Sequence, residues 1–182
     1  MLEIKDYLNI HKPDVFCMTE TKFKEKIDMN FQEEGYKIWG RDREGKGGGG
    51  VLIMVEEDIF VERVQYGDGM AEVIGKTILT HERDRRKIVV TYVPPKTNTW
   101  MLEEYEAMQK EVIKCLGDMM RKDRKILLVG DFNCKGVNCK EMAGSGNAGL
   151  WSEETLQLPW RTHWINEWRN SLGSEEKKNH RC

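Results

Sequence analysis

The sequence predicts a sheet protein carrying helices, either a β-sandwich or an antiparallel sheet, and three observations support that expectation. Short apolar runs follow one another along the chain with turn residues between them, the pattern of successive strands and not of a βαβ array. Helical spacing is strongest in one long stretch, Trp100 to Met120. The 182 residues suffice for one domain with a real core, and a tail, but not for two full domains.

The elements follow in order. Leu2 to His11 sets Ile4, Tyr7, Leu8 and His11 on one stripe, and Pro13 ends this short amphipathic helix. Asp14 to Thr19 (D-V-F-C-M-T) reads as a buried strand with Glu20 at its C-terminal end. Lys22 to Glu34 is polar, a loop or partial helix; Tyr36 to Gly40 is a candidate strand; Arg41 to Lys46 is charged and turn-like. Gly47 to Gly50 precedes V-L-I-M-V. Without the Lys-Ser/Thr of a phosphate loop or a following helix, the glycines read as a hairpin turn needing positive φ and close packing. Strands continue at Val51 to Val55, Phe60 to Tyr66, Ala71 to Leu79 and Lys87 to Val93, the third with weak alternation. The double proline of T-Y-V-P-P forces an extended exit and holds Tyr92 at a strand end. In the long helix Leu102, Tyr105, Val112, Leu116 and Met119 share a stripe, which places it across a sheet face.

K-I-L-L-V-G-D-F-N, Lys125 to Asn133, is the stretch the rest is organised around. Ile126 to Val129 reads as a strand buried on both faces, stopped by Gly130. In extended backbone Asp131 and Asn133 leave on one face and Phe132 on the other. A carboxylate there is a hard oxygen ligand or a base, and an amide can donate to a phosphate oxygen, so the pair suits phosphoryl chemistry. The competing reading is a turn capped by its own Asp. Glu20 and Asp131 both lie at the carboxyl end of a core strand, where sheet-based sites gather their ligands.

A formal net charge of −2 gives no overall basic field to argue for nucleic acid. Three local clusters remain: Lys22, Lys24 and Lys26; Arg83, Arg85, Arg86 and Lys87; Arg121, Lys122, Arg124 and Lys125. Each reads first as a solvated face. Five irregularly spaced cysteines, no signal peptide and no membrane-length apolar run point to an intracellular protein, nuclear or cytoplasmic, with no membrane partner. Cys134 and Cys139 lack a second pair at zinc spacing.

M-T-E-T-K (Met18 to Lys22), G-G-G-V (Gly48 to Val51), T-Y-V-P-P (Thr91 to Pro95) and L-L-V-G-D-F-N (Leu127 to Asn133) follow one another in an order that resembles the endonuclease/exonuclease/phosphatase family. The chain is most similar to its non-LTR retrotransposon (LINE-type) branch, over Leu2 to about Leu158. The resemblance implies an α/β (α+β) fold, a four-layered αββα sandwich, here lacking the first strand and the closing strands. It implies a metal-dependent phosphodiester hydrolase acting on DNA with Mg²⁺ (or Mn²⁺). Glu20 would bind the metal, Tyr92 would contact the scissile phosphate, Asp131 would orient or deprotonate the attacking water, and Asn133 would hold the phosphate or leaving group. The family's opening Asn has no counterpart in these residues, and there is no Ser-Asp-His; His163 and His180 lack a preceding Asp. The expectation is therefore weak or absent activity, with a non-catalytic nucleic-acid or protein-binding remnant as the alternative. Missing strands also predict self-association through uncovered sheet edges.

Residues 1–158 thus form the domain and residues 159–182 a divergent tail. Ser152 caps a possible helix, and Trp160, Trp164 and Trp168 recur at helical spacing as a face seeking a core. Ser171 to Cys182 is charged and reads as disordered.

Overall fold

The computed structural model describes residues 2–22, 32–43, 49–80, 84–121, 125–134, 137–138, 143–144 and 155. The Trp160, Trp164 and Trp168 stripe, the Ser152 cap, Cys139, His163, His180 and the tail from 159 lie outside them. So do Lys24, Lys26, Arg83, Lys122 and Arg124.

Among the described residues two helices and two principal sheets are layered as helix, sheet, sheet, helix. Helix α1 (Leu2–His11) precedes strands β1 (Val15–Thr19), β2 (Tyr36–Arg41), β3 (Val51–Glu56), β4 (Phe60–Tyr66), β5 (Glu72–Leu79) and β6 (Arg85–Tyr92). Helix α2 (Leu102–Met120), β7 (Ile126–Asp131) and the two-residue strands β8 (Val137–Asn138) and β9 (Ala143–Gly144) follow. The first sheet runs β1-β3-β2 and the second β4-β5-β6-β7, while β8 and β9 pair with each other.

Alternation along β3 explains the layering. Val51, Ile53 and Val55 point between the sheets, against Ile74, Ile88 and Val90, while Leu52 and Met54 meet Leu8 of α1 on the other face. All five β3 residues from Val51 to Val55 are fully buried, each contributing roughly 1.5–3 kcal/mol relative to exposure. On the far face of the second sheet, Val73, Val89 and Leu128 pack against Met108, Val112 and Leu116 of α2.

Several expectations are corrected. The second sheet is not wholly antiparallel: β6 and β7 are parallel, joined across the sheet face by α2, because a helix can return the chain to the same end. Among the described residues β7 is an edge strand, so Leu127 is 37% exposed and the apolar run is not buried on both faces. Leu102 is exposed at the start of α2, and Met108 and Met120 belong to its buried stripe instead. The weak alternation in β5 arises because layers cover both faces, which leaves Glu72 and Lys76 fully buried. The Lys76 ammonium lies 3.2 Å from the centroid of the Trp39 ring, a cation–π contact inside the sandwich.

The basic clusters also resolve into structure. Lys87 is buried and donates to Gln65 and, at 2.8 Å, to the Met119 carbonyl at the end of α2, where a cation complements the helix dipole. Lys125 and Arg86 both pair with Asp84, and Arg85 with Glu62. Lys125, contributing most, and Arg86 hold the Asp84 carboxyl below its ordinary range. The described cysteines are free thiols, and burial pushes Cys17 up to about 12, so it is a poor nucleophile at neutral pH. No described helix is long and apolar enough to cross a membrane.

Leu116→Ala should cost about 2–5 kcal/mol in urea unfolding, because it opens a cavity beneath the sheet. Leu102→Ala should stay within about 0.5 kcal/mol.

Candidate active site

The site forms where strand ends of the two sheets converge. Glu20 follows β1, Tyr92 ends β6 and Asp131 ends β7; in the parallel register Tyr92 stands opposite Asp131. The Tyr92 hydroxyl donates to Glu20 Oε1 at 2.5 Å, crossing from one sheet to the other. Burial first, then the Glu20 hydrogen bond and the charges of Glu20, Glu72 and Asp131, raise the Tyr92 phenol well above its ordinary value of 10.0. Tyr92 is therefore a lasting hydrogen-bond donor.

The local sequence explains how each group is aimed. Glu20 has φ +54 and Lys22 φ +52, both left-handed and strained for such side chains. The strain is held by the glycine turn: Lys22 N–H donates to the Gly49 carbonyl at 2.7 Å and Thr21 N–H to the Gly50 carbonyl at 3.4 Å. Gly49 and Gly50 have φ +85 and +95, and a Cβ on Gly50 would collide with Thr21 Oγ1 and Asp42 Oδ1. The expected positive φ is thus found at Gly49 and Gly50, where the connection between the antiparallel β2 and β3 ends, while Gly47 and Gly48 lie outside the described residues. Gly130 serves a second close approach, since a Cβ there would strike the Thr91 carbonyl and push β7 from β6.

Asn133 departs from expectation. Its φ is +46, so the strand ends at Asp131 and the backbone turns instead of continuing extended. Asp131 Oδ1 accepts from the Asn133 N–H at 3.0 Å, and the Asn133 amide donates to the Val93 carbonyl at 2.8 Å. The Asp-capped turn is real, and it also brings both side chains to the end of β6. Phe132 points the other way and is buried against α2, as expected.

Two residues that sequence reasoning passed over complete the arrangement. Glu72, opposite Tyr92 in the antiparallel β5–β6 register, is buried and accepts from Arg43 Nε at 2.5 Å and from the Gly50 N–H. Burial raises its carboxyl, and Gly50 and Arg43 pull it back. Its signal was the one acid of a mostly apolar strand, at that strand's first position. Arg43 was hidden in a run of charges, and its guanidinium lies 5.2 Å from the Trp100 ring centroid.

A divalent cation fits this donor set in a limited way. Glu20 offers a carboxylate with 45% of its side chain exposed and a second oxygen 3.7 Å from Lys22. Among the described residues no three His, Cys, Asp or Glu cluster to hold a metal by themselves. One carboxylate completed by water and substrate phosphate suits Mg²⁺ and not a closed structural site.

No protein-family model and no curated protein sequence matches the chain. Solved structures do. A 3′ phosphatase, NExo, from Neisseria, bound to a product DNA hairpin, is similar with TM-score 0.56 and 17% identity, over 75% of this chain and 54% of that one. An AP endonuclease from Archaeoglobus fulgidus gives 0.54 and 22%, over 85% and 64%. The Xenopus laevis APE2 catalytic domain gives 0.55 and 16%, over 84% and 59%. These are endonuclease/exonuclease/phosphatase-fold proteins, and this chain has that fold. It spans 54–64% of the length of those chains.

Gly50→Ala should lose more than about 1 kcal/mol in thermal or urea unfolding, since Ala resists that φ and meets Thr21. Tyr92 provides a pH test. Its folded pKa is raised, so its contribution is complete below pH 10.0 and is lost as pH rises further. Stability should fall more steeply above pH 10.0 in the parent than in Tyr92→Phe.

Proposed function

We propose that the chain is a metal-dependent phosphodiester hydrolase domain, a DNA endonuclease of the non-LTR retrotransposon type. The observation that carries this reading is the Glu20–Tyr92 hydrogen bond between the two sheets, with Asp131 in register beside Tyr92. The order of the four motifs and the fold support it.

Hydrolysis of a phosphodiester requires an attacking water, a base, and rigid donors around the phosphoryl oxygens. In this reading Asp131 orients and deprotonates the water. The Asn133 amide, one N–H held by the Val93 carbonyl, donates its other N–H to a phosphate oxygen, and the Tyr92 phenol, positioned by Glu20, would turn its one O–H from that carboxylate to a phosphate oxygen when substrate binds. Glu20 would hold the divalent ion, Mg²⁺ or Mn²⁺, which supplies neutralisation of the charge developing on the phosphoryl group. Within these 182 residues there is no Ser-Asp-His. A missing positioned acid or base lowers rate by about 10²- to 10⁴-fold, so this stretch alone is read as a slow catalyst.

The binding-remnant reading receives less support. Of the described members of the second and third basic clusters, Arg85, Arg86, Lys87 and Lys125 sit at the N-terminal ends of β6 and β7, the pole opposite Tyr92 and Asp131, Arg121 caps the C-terminus of α2, and Arg85, Arg86, Arg121 and Lys125 are paired with acids.

Supercoiled plasmid incubated with Mg²⁺ or Mn²⁺ should be nicked slowly by the parent and not by Glu20→Ala or Asp131→Ala. Equal traces in all three, or none in the parent on long incubation, would remove the catalytic reading.

A further inference from the structure

We propose that the buried Glu72–Arg43 pair is a positioning element of the site, acting on Glu20 through the Gly49–Gly50 turn and on Tyr92 through the β5–β6 register. The connection is continuous. Glu72 accepts from Arg43 with one oxygen and from the Gly50 N–H with the other. The carbonyls of Gly49 and Gly50 in turn hold Lys22 and Thr21, the two residues that follow Glu20. Glu20 keeps a left-handed backbone, which persists only where neighbours over-determine it.

Arg43 extends the clamp to the segment after Tyr92. Its guanidinium lies over Trp100, whose ring meets Tyr105 edge-on at 5.5 Å, and the Tyr105 hydroxyl donates to the Pro94 carbonyl at 2.9 Å. One ion pair therefore ties together the β2–β3 turn, the start of β5 and the exit from β6.

Burial makes this an expensive way to stabilise a fold. The side chains of Arg43 and Glu72 are 6% and 1% exposed, and apolar replacements of a buried pair are often as stable or more so. What an apolar pair cannot provide is a carboxylate that fixes the Gly50 amide. The pair's contribution is geometric, passed to Glu20 two hydrogen bonds away.

The test uses the full chain and compares the parent with Glu72→Gln, Arg43→Met/Glu72→Met and Glu20→Ala. The double variant removes both charges and keeps the protein folded where the single variant leaves Arg43 buried without its carboxylate. Amide exchange is followed by NMR, and Mn²⁺ affinity by electron paramagnetic resonance. In the double variant the Lys22 amide should exchange about tenfold faster while the β5–β6 ladder stays protected. Mn²⁺ binding should weaken by about tenfold, the usual size of an outer-shell effect. Parental protection at Lys22 in the double variant would overturn the proposal. Equal acceleration at every amide would do so too, because the pair would then be a general stabiliser.

The Mn²⁺ arm rests on the proposed role of Glu20, and the exchange arm does not. If Lys22 is released but Glu20→Ala binds Mn²⁺ as the parent does, the clamp stands and the ligand reading of Glu20 fails.

Discussion

The hydrogen bond from Tyr92 to Glu20 is the interaction on which the rest of the site depends, because it joins a strand end of one sheet to a strand end of the other. Each sheet alone presents isolated polar groups at its rim. Packing the two sheets face to face, through Val51, Ile53 and Val55 against Ile74, Ile88 and Val90, brings those rims together. β1 contacts both β6 and β7 across the sandwich, so one apolar layer sets the positions of three polar residues it does not contain. The core and the chemistry are linked by register. A slip of one residue in β6 would turn Tyr92 away from Glu20 and toward α2.

Much of this was legible in the sequence. Both helices and all seven longer strands lie within a residue or two of where apolar runs and turn residues placed them, because buried strands must be apolar and their ends must turn. The placement of Glu20, Tyr92 and Asp131 at strand ends was legible for the same reason: each is polar and ends such a run. What the sequence hid depends on contacts between distant residues. The parallel pairing of β7 with β6 does not follow from either strand alone, and the positive φ of Asn133 reflects its amide's bond to Val93, forty residues away. Arg43 and Glu72 lie 29 positions apart, and neither announces the other.

Charge was the least reliable guide, and the reason is physical. A basic run in sequence does not say which cations face solvent, which meet acids and which are buried. Arg85, Arg86 and Lys125 meet acids, Lys87 enters the core to cap α2, and Lys22 alone of the described cluster members stands beside the candidate site. Net charge and clustering thus describe solvation and steering, while the sheet ends decide where chemistry can occur.

The buried charges differ in what their partners are attached to. Lys76 lies against Trp39 of β2, and Lys87 against Gln65 of β4 and the end of α2, so both connect regular elements that packing already holds. Glu72 instead reaches a turn: its partners, Arg43 and the Gly50 amide, lie on the β2–β3 connection, which has no apolar face of its own among the described residues. A strand-to-strand bond adds to stability already supplied by the ladder. A strand-to-turn bond fixes residues that lie outside any ladder, Arg43 and Gly50, and that placement is carried through Thr21 and Lys22 to Glu20. For that reason an acid at the start of a mostly apolar strand, costly to bury, is better understood by the loop it holds than by the core it occupies.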